Sequence, residues 1–199
     1  MYDKGLAVHG DEVRRAIRDN KYEAMDSGGI FLPEAKAMVV GEYIIGVNGV
    51  EVERCPNLLP TLGLGLLLKL LGNHVAIPAA LYIALFANAT TPIAAHTASG
   101  FTSTYSEITS GSEGFSETTR VAWVSADPAA ATINNYASPA EFTIVTATSL
   151  TVNGVAMLTA SAKGATTGYL VSASKFAASR SFANTDTISV KYQLSLTSS

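Results

Sequence analysis

The sequence predicts a mainly β protein, in which an antiparallel β-sandwich or jelly-roll-like domain follows a charged N-terminal helix, a hairpin and an apolar helix. Three observations support this fold class. Short strand-like segments follow one another after Ala79, turn-rich connections separate them, and no helical crossover lies between them. Strands joined by turns are typical of sandwiches and jelly rolls, whereas a doubly wound α/β fold needs a helix between successive parallel strands.

The strand-like segments are separated by turns, and the first of them, LYIALF, has the continuous apolar sequence of a buried strand. They are predicted at residues 81–86, 121–124, 142–146, 149–160, 168–176 and 186–198. The connections at 110–114 (SGSEG) and 162–168 (AKGATTG) have the composition of turns.

Residues 37–55 contain the clearest local signal, because Asn48-Gly49 stands between two β-branched runs. This dipeptide readily adopts the positive φ angles of a type I′ turn, and the second arm, VEVE, alternates as a strand does. We therefore predict a β-hairpin. The same tetrapeptide, VNGV, recurs at 152–155 with different flanks, so we interpret the second copy as a turn, or as a bulge within one strand.

Residues 58–71, LLPTLGLGLLLKLL, predict an apolar helix that begins near Pro60 and ends at Gly72 with Asn73. The run is too short to cross a bilayer, which takes about 20 residues. It also lacks the row of basic residues that an interfacial membrane helix carries, since Lys69 is its only charge.

Gly63 and Gly65 weaken this helix, each by about 1 kcal/mol relative to Ala. Small residues on a leucine-rich helix permit close packing with another element. We therefore expect the helix to be buried against a sheet or against a neighbouring subunit.

Asp11 is predicted to cap a helix over residues 12–25, because its carboxylate can accept the free amide protons of the first turn. Val13, Ile17 and Tyr22 form only a thin apolar stripe, so this helix should need a partner. The following segment, DSGGIFLP, contains two glycines and a proline and is expected to end it.

Charge is concentrated at one end of the 199-residue chain. Residues 1–55 carry seven Lys or Arg and ten Asp or Glu, whereas residues 56–199 carry six of each. The sequence therefore predicts two parts, a charged docking arm over 1–56 and an apolar helix plus β-sandwich over 57–199. No basic stripe is present to neutralise a phosphate backbone, which disfavours nucleic-acid binding.

Cys55 is the single cysteine, so no disulfide can form within one chain, and we interpret it as a small buried hydrophobic residue. The first residues lack the apolar segment of a secretory signal. We expect a protein that is made and folded inside a cell, without membrane insertion.

The sequence shows no catalytic, cofactor-binding or metal-binding residues that we would assign. His9, His74 and His96 lack the short spacing of metal ligands.

Three acidic residues near a Ser/Thr/Gly-rich segment are interpreted as solvated side chains with ordinary pKa values, with weak calcium binding or a polar contact surface as alternatives; they are Glu107, Glu113 and Glu117. Aromatic residues fall mostly in predicted strands, where they are expected to pack in the core; they are Trp123 and the tyrosines at 82, 105, 136, 169 and 192.

Residues 57–199 resemble the small virion proteins of tailed bacteriophages. The resemblance lies in the order of NLLPTLGLGLLLKLLG (57–72), ALYIALFANATTP (80–92), ETTRVAWV (117–124) and the final GYLVSASKF and DTISVKYQLSLT segments. It implies a sandwich that presents a surface outward and a charged N-terminal segment that docks onto a neighbouring virion subunit. Residues 1–55 carry no such resemblance.

From this resemblance we expect a non-enzymatic virion protein, an adaptor or fibre-like accessory of the tail or head-to-tail region. It would assemble in the host cytoplasm, contact other tail, neck or capsid subunits, and form a homo-oligomer. A capsid decoration protein is the nearest alternative. A carbohydrate-binding module for host surface glycans and a small hydrolase are alternatives of other classes.

Overall fold

A computed structural model describes residues 23–25, 29–31, 37–76, 78–128 and 131–198. Its described residues divide into two compact units: the first includes residues 23–25, 29–31 and 37–38 with 196–198, and the second includes residues 39–76, 78–128 and 131–195. In the first unit, β1 (Glu23–Met25) pairs antiparallel with β2 (Gly29–Phe31). The predicted N-terminal helix is therefore wrong in its last three residues, because the β-favouring Ile30 and Phe31 give them a strand partner. Its earlier part, with Asp11 and the apolar stripe, lies outside the described residues.

The second unit contains most of the regular structure. Its strands are β3 (Ala37–Val47), β4 (Val50–Pro56), β5 (Leu81–Phe86), β6 (Gly114–Phe115), β7 (Val121–Trp123), β8 (Thr132–Asn134), β9 (Ala140–Val145), β10 (Leu150–Leu158), β11 (Leu170–Phe182) and β12 (Thr187–Ser198). Its helices are α1 (Thr61–Leu71) and α2 (Ala98–Tyr105).

The strands form two antiparallel sheets, which confirms the mainly β, sandwich-like fold. One sheet has the order β4-β3-β12-β9-β6, with β8 also paired to β12. The other has the order β11-β10-β5-β7. A single apolar core lies between them, since buried residues of β3, β9 and β12 cluster with buried residues of β5, β10 and β11.

Helix α2 was not predicted, and it covers the outer face of the four-stranded sheet. Thr97 caps it by accepting a hydrogen bond from the Gly100 amide at 3.3 Å. Phe101 and Tyr105 pack with Ala84 and Phe86 in a second buried cluster. Strand β5 is therefore buried on both faces, which explains its continuous apolar sequence.

The hairpin is confirmed: β3 and β4 pair antiparallel, and Asn48 and Gly49 between them have φ values of 49° and 81°. The structure differs from the predicted boundary at residue 56. Both strands of this hairpin belong to the six-stranded sheet, and the compact unit begins at Val39. The predicted boundary was based on where the charged residues are concentrated. The charged hairpin is nevertheless part of the larger unit, because its strands also contribute Tyr43 and Ile45 to the core.

The second VNGV lies within β10, where the pairing to β11 shifts register between Val152 and Gly154. It is therefore a bulge within one strand, which is one of the two interpretations. Gly154 is required there, because a Cβ at this position would overlap the ring of Phe86.

Five of the six predicted strands differ from the structure mainly at their ends, and the strand at 81–86 matches it. Strand β7 ends at Trp123 and β11 continues to Phe182. The extension of β11 is polar, and it is held by Arg180, which donates to Glu53 on β4 at 2.6 Å. The short strands β6 and β8 were not predicted.

Candidate interaction surface

Helix α1 lies against β11 through a glycine. A Cβ on Gly63 would lie 2.5 Å from the backbone oxygen of Val171 and 2.8 Å from that of Leu170, so only glycine allows the helix to approach this closely. Leu66, 1 % exposed, enters the main core from the same side of the helix. The expected burial against a sheet is thus confirmed for one face of α1.

The start of α1 is bonded to another segment, and its end is closed by a C-terminal turn. Pro60 precedes the first turn, and the Thr61 amide donates to the carbonyl of Ala94 at 2.9 Å. At the other end the Gly72 amide donates to the carbonyl of Leu68 at 2.9 Å, and Asn73 has a φ of 54°. The helix therefore starts three residues later than the apolar run and ends where predicted.

The opposite face of α1 is apolar and exposed. We call it the leucine face and define it by Leu64, Gly65 and Leu68, which share one side of the helix, and by Leu62, which lies at the edge of that side next to Lys69. The three leucines are 50 %, 40 % and 70 % exposed, respectively. A Cβ on Gly65 would meet no atom within 4 Å.

The leucine face is a stronger binding surface than scattered exposed residues would be. Burying a whole leucine side chain contributes about 1.5–3 kcal/mol. Because three leucines of α1 are largely exposed, covering them with a partner would contribute further stabilisation. Ile93, which is also exposed, precedes Ala94, whose carbonyl accepts from the first amide of α1. Contiguous exposed apolar patches of this kind mark interaction sites.

The acidic trio does not form one site, because each carboxylate is engaged with a different part of the fold. Glu107 is buried and accepts from Arg120 Nε and Nη2 at 2.7 and 2.8 Å. Glu113 accepts from the Thr146 hydroxyl at 2.7 Å, and Glu117 accepts from a backbone amide of β9.

The prediction that these carboxylates are solvated is therefore wrong for Glu107, and the prediction of an ordinary pKa is wrong for Glu113. Hydrogen bonds from the Thr146 hydroxyl and the Ala147 amide hold the pKa of Glu113 below its usual value. Glu107 is excluded from solvent. Among the described residues no group of three His, Cys, Asp or Glu side chains is placed to hold a metal ion, so the calcium alternative gains no support.

The Glu107–Arg120 pair connects three segments of the chain. Arg120 also donates to the carbonyls of Ala160 and Ala165 in the β10–β11 connection, at 2.9 and 3.2 Å. Glu107 further accepts from the Thr102 hydroxyl of α2 at 2.9 Å. Every strong contact of this pair is internal, so we assign it a structural role.

The histidines lie apart. His9 is outside the described residues, His74 is exposed after α1, and His96 Nδ1 lies 2.5 Å from the hydroxyl of Tyr105. Burial raises the pKa of Tyr105 to about 12, which is the opposite of the activation that a nucleophile requires. This pair does not support the hydrolase alternative.

Cys55 is buried, as expected from the sequence. Burial raises the pKa of its thiol to about 12, and the neighbouring Glu53 carboxylate, which accepts from Sγ at 3.3 Å, acts in the same direction. The thiol is therefore protonated and unreactive near neutral pH. A groove of about 350 Å³ lies beside it, where β4 meets β11, but Glu53 in its wall is already used by the Ala177 amide and by Arg180.

Most of the aromatic residues pack internally, as predicted. Tyr105 and Tyr192 are fully buried, and Trp123 packs edge-on against Tyr192 with 5.8 Å between ring centroids. Tyr105 belongs to α2, which was not predicted. Tyr136, 38 % exposed, follows β8 and donates its hydroxyl to Gln193 at 2.6 Å.

Across the described part of the chain, no helix has the length and apolarity needed to cross a membrane. No protein-family model matches the chain, and comparison with curated proteins finds no match.

Proposed function

We propose that this protein is a non-enzymatic structural component of a tailed-bacteriophage virion, an adaptor or fibre-like accessory of the tail or head-to-tail region. The observation that carries the proposal is the leucine face. A sandwich that fixes one side of a helix in its core and turns three leucines outward is suited to lasting burial against a neighbouring subunit. The resemblance of residues 57–199 to small virion proteins supplies the class.

The way α1 is held supports an assembly role. Gly63 places the helix on β11, Leu66 packs in the main core, and the carbonyl of Ala94 accepts from the first amide of the helix. A rigid apolar face loses little conformational entropy when it binds, so more of the burial energy appears as affinity. Apolar cores of this kind are typical of permanent interfaces rather than of transient ones.

The glycan-binding alternative has less support. Sugar binding by a sandwich commonly uses exposed aromatic rings, but Tyr105 is in the core and the hydroxyl of Tyr136 is held by Gln193. Capsid decoration differs from the tail proposal only in location, so an experiment must separate the two.

The test is electron imaging of purified particles that carry a labelled copy of the full chain. The proposal expects label at one vertex or along the tail. Label over the whole shell would replace the tail proposal by capsid decoration, and particles that lack the protein would contradict both.

A matched pair of substitutions tests the role of the leucine face. Leu68→Glu should reduce incorporation into particles, because it places a charge in the buried contact. Val50→Glu changes a similarly exposed apolar residue on the hairpin and should leave incorporation unchanged. Equal incorporation of both variants would contradict the assignment of this surface.

A further inference from the structure

We propose that the sandwich opens locally along the line where β4 faces β11, and that the Glu53 carboxylate holds this line closed. Strand β4 is an edge strand of one sheet, and β11 is an edge strand of the other. We call the line between them the rim. It runs from the contact of Leu58 with Ala173 to the contact of Val52 with Arg180. The inference is independent of the proposed virion role.

Backbone hydrogen bonds close the rim at one end. The amides of Leu58 and Ala173 each donate to the carbonyl of the other residue, at 2.9 and 3.0 Å. Pro56, the last residue of β4, has no amide proton, and its carbonyl accepts from the Ser174 hydroxyl at 2.8 Å instead. Farther along, the described residues form no backbone-to-backbone bond across the rim. The rest of the rim is therefore held by side chains.

Glu53 occupies a core-facing position of an edge strand. It is paired with Ile45 on β3, and Cys55 is paired with Tyr43, so Glu53 shares its side of the sheet with residues of the main core. Its side chain is only 10 % exposed. A carboxylate in such a place is costly unless donors inside the fold satisfy it. The stability of the rim therefore depends on the donors that reach Glu53.

The main donors to Glu53 come from the opposite sheet. Its Oε1 accepts from the Ala177 amide at 2.7 Å, and its Oε2 accepts from Arg180 Nε and Nη2 at 3.0 and 2.6 Å. The Arg180 guanidinium also donates to the carbonyl of Val52 at 3.3 Å. Hydrogen bonds between charged groups are stronger than neutral ones. One carboxylate therefore connects β4 to β11 at the end of the rim that lacks backbone bonds.

Opening of the rim would leave the ladders within each sheet intact. Strand β4 is paired with β3, and β11 is paired with β10, so neither depends on the other for its place in a sheet. Local openings that break few contacts occur more often than global unfolding. An open rim presents two free strand edges, to which a strand of another chain can pair. A charge that points inward from an edge strand is a known protection against such pairing, and Glu53 has this position.

Amide hydrogen exchange of the full chain, followed by NMR in increasing urea, tests the local opening. The reporter amides are those of Leu58 and Ala173, which cross the rim without bonding to Glu53. The reference amides are those of β10, which is paired on both sides. The reporter amides should exchange faster than the reference amides, at rates that low urea hardly changes, because a local opening exposes little surface. Reporter amides that exchange as slowly as those of β10, with the same dependence on urea, would overturn the local opening.

Glu53→Gln tests the role of the carboxylate, because it keeps the shape of the side chain and removes its charge. Relative to the β10 amides of the same variant, exchange at Leu58 and Ala173 should become roughly tenfold faster or more, since bonds to charged groups contribute more than neutral ones. Glu51→Gln is the matched control. Glu51 lies on the same strand and accepts from Arg54 Nε at 2.7 Å, away from β11, so its loss should leave both rates unchanged.

Two results would overturn the assignment to Glu53. The first is an equal effect of Glu53→Gln and Glu51→Gln on the reporter amides. The second is an effect of Glu53→Gln that is confined to the Ala177 amide, because this amide is bonded to Glu53 directly and would respond without any opening of the rim.

Discussion

The side chain of Asn48 joins the tip of the β3–β4 hairpin to Asp186, which lies far away in sequence in the turn that leads from β11 in one sheet to β12 in the other. Its Nδ2 donates to Asp186 Oδ1 at 2.9 Å, and its Oδ1 accepts from the Thr187 amide at 2.8 Å. The turn chemistry that makes Asn48 suitable for a positive φ therefore also fixes the β3–β4 turn to the β11–β12 turn. Asn48 therefore both adopts the positive φ of its own turn and bonds the turn to a distant part of the chain.

Replacing Asn48 by glycine should separate these two roles. Asn48→Gly keeps the positive φ and removes the side-chain hydrogen bonds to Asp186 and Thr187, so we expect a loss of about 1–2 kcal/mol in the free energy of unfolding. Urea denaturation measures the change. Asn73→Gly is the matched control, because Asn73 also has a positive φ and its side chain bonds no described residue. Equal effects at both positions would show that the contact with Asp186 contributes nothing.

Acid should weaken the fold partly through Asp186. Hydrogen bonds from the Asn48 side chain and from the Ala183 amide lower the pKa of Asp186 in the folded protein. Because the folded pKa is below the unfolded one, this carboxylate stabilises the fold above the unfolded pKa, near 4, and its contribution is lost as the pH falls through the folded pKa. The stability of Asp186→Asn should be lower at pH 7 and should fall less between pH 5 and acid. Parallel pH profiles of the variant and wild type would contradict this.

The buried ion pair of Arg120 and Glu107 should be sensitive to loss of one member. Arg120→Met leaves the Glu107 carboxylate without its partner in the interior, which typically costs about 3–5 kcal/mol. The double variant Arg120→Met with Glu107→Gln removes both charges and should be more stable than the single variant. Urea unfolding of the two proteins provides the comparison. A double variant that is no more stable than Arg120→Met would show that the charge itself is unimportant.

The thiol of Cys55 should react only after unfolding. Since burial raises its pKa to about 12, native protein at pH 8 should be labelled slowly by a thiol reagent, and protein in concentrated guanidinium should be labelled at once. Leu68→Cys places a second thiol on the exposed leucine face and should give one fast-reacting group per chain. Rapid labelling of wild-type native protein would mean that Cys55 is accessible.

Deleting residues 1–36 should leave a cooperatively folding protein. The compact unit begins at Val39 and includes both strands of the first hairpin, so the deletion removes no strand of the two large sheets. A single sharp transition by circular dichroism is expected. A matched deletion of residues 1–56 removes β3 and β4, and with them Tyr43 and Ile45, and should abolish that transition. Similar melts for both deletions would place the hairpin outside the folded unit.

Elements that depend on short-range patterns could be predicted from the sequence. The Asn48-Gly49 turn and strand β5 were predicted with their correct positions, because turn geometry and continuous apolar sequence are local signals. The strand pairing that joins β4 and β3 to β12 is long-range, and no local pattern encodes it. The boundary near residue 56 was therefore drawn from charge and differs from the structure.

Helix α2 was not predicted, although the sequence contains local signals for it. Thr97 is a good N-cap, and Ala98, Phe101 and Tyr105 recur at helical spacing, yet the segment is short and rich in Ser, Thr and Gly, which are weak helix formers. The burial of Glu107 with Arg120 had no sequence signal, since the two are brought together only by the fold. For the leucine face, the sequence predicts the apolar helix and its two glycines. Which side of the helix packs against β11, and which side is exposed, depends on the tertiary structure.

The proposed assembly role can be checked in virions by measuring how much of this protein they contain. Particles purified through a density gradient would be analysed by quantitative mass spectrometry, beside the unassembled fraction of the same lysate. A virion component should be present in a fixed number of copies per particle, and that number should fall in Leu68→Glu but not in Val50→Glu. Abundant protein in the lysate with none in the purified particles would contradict the assembly role.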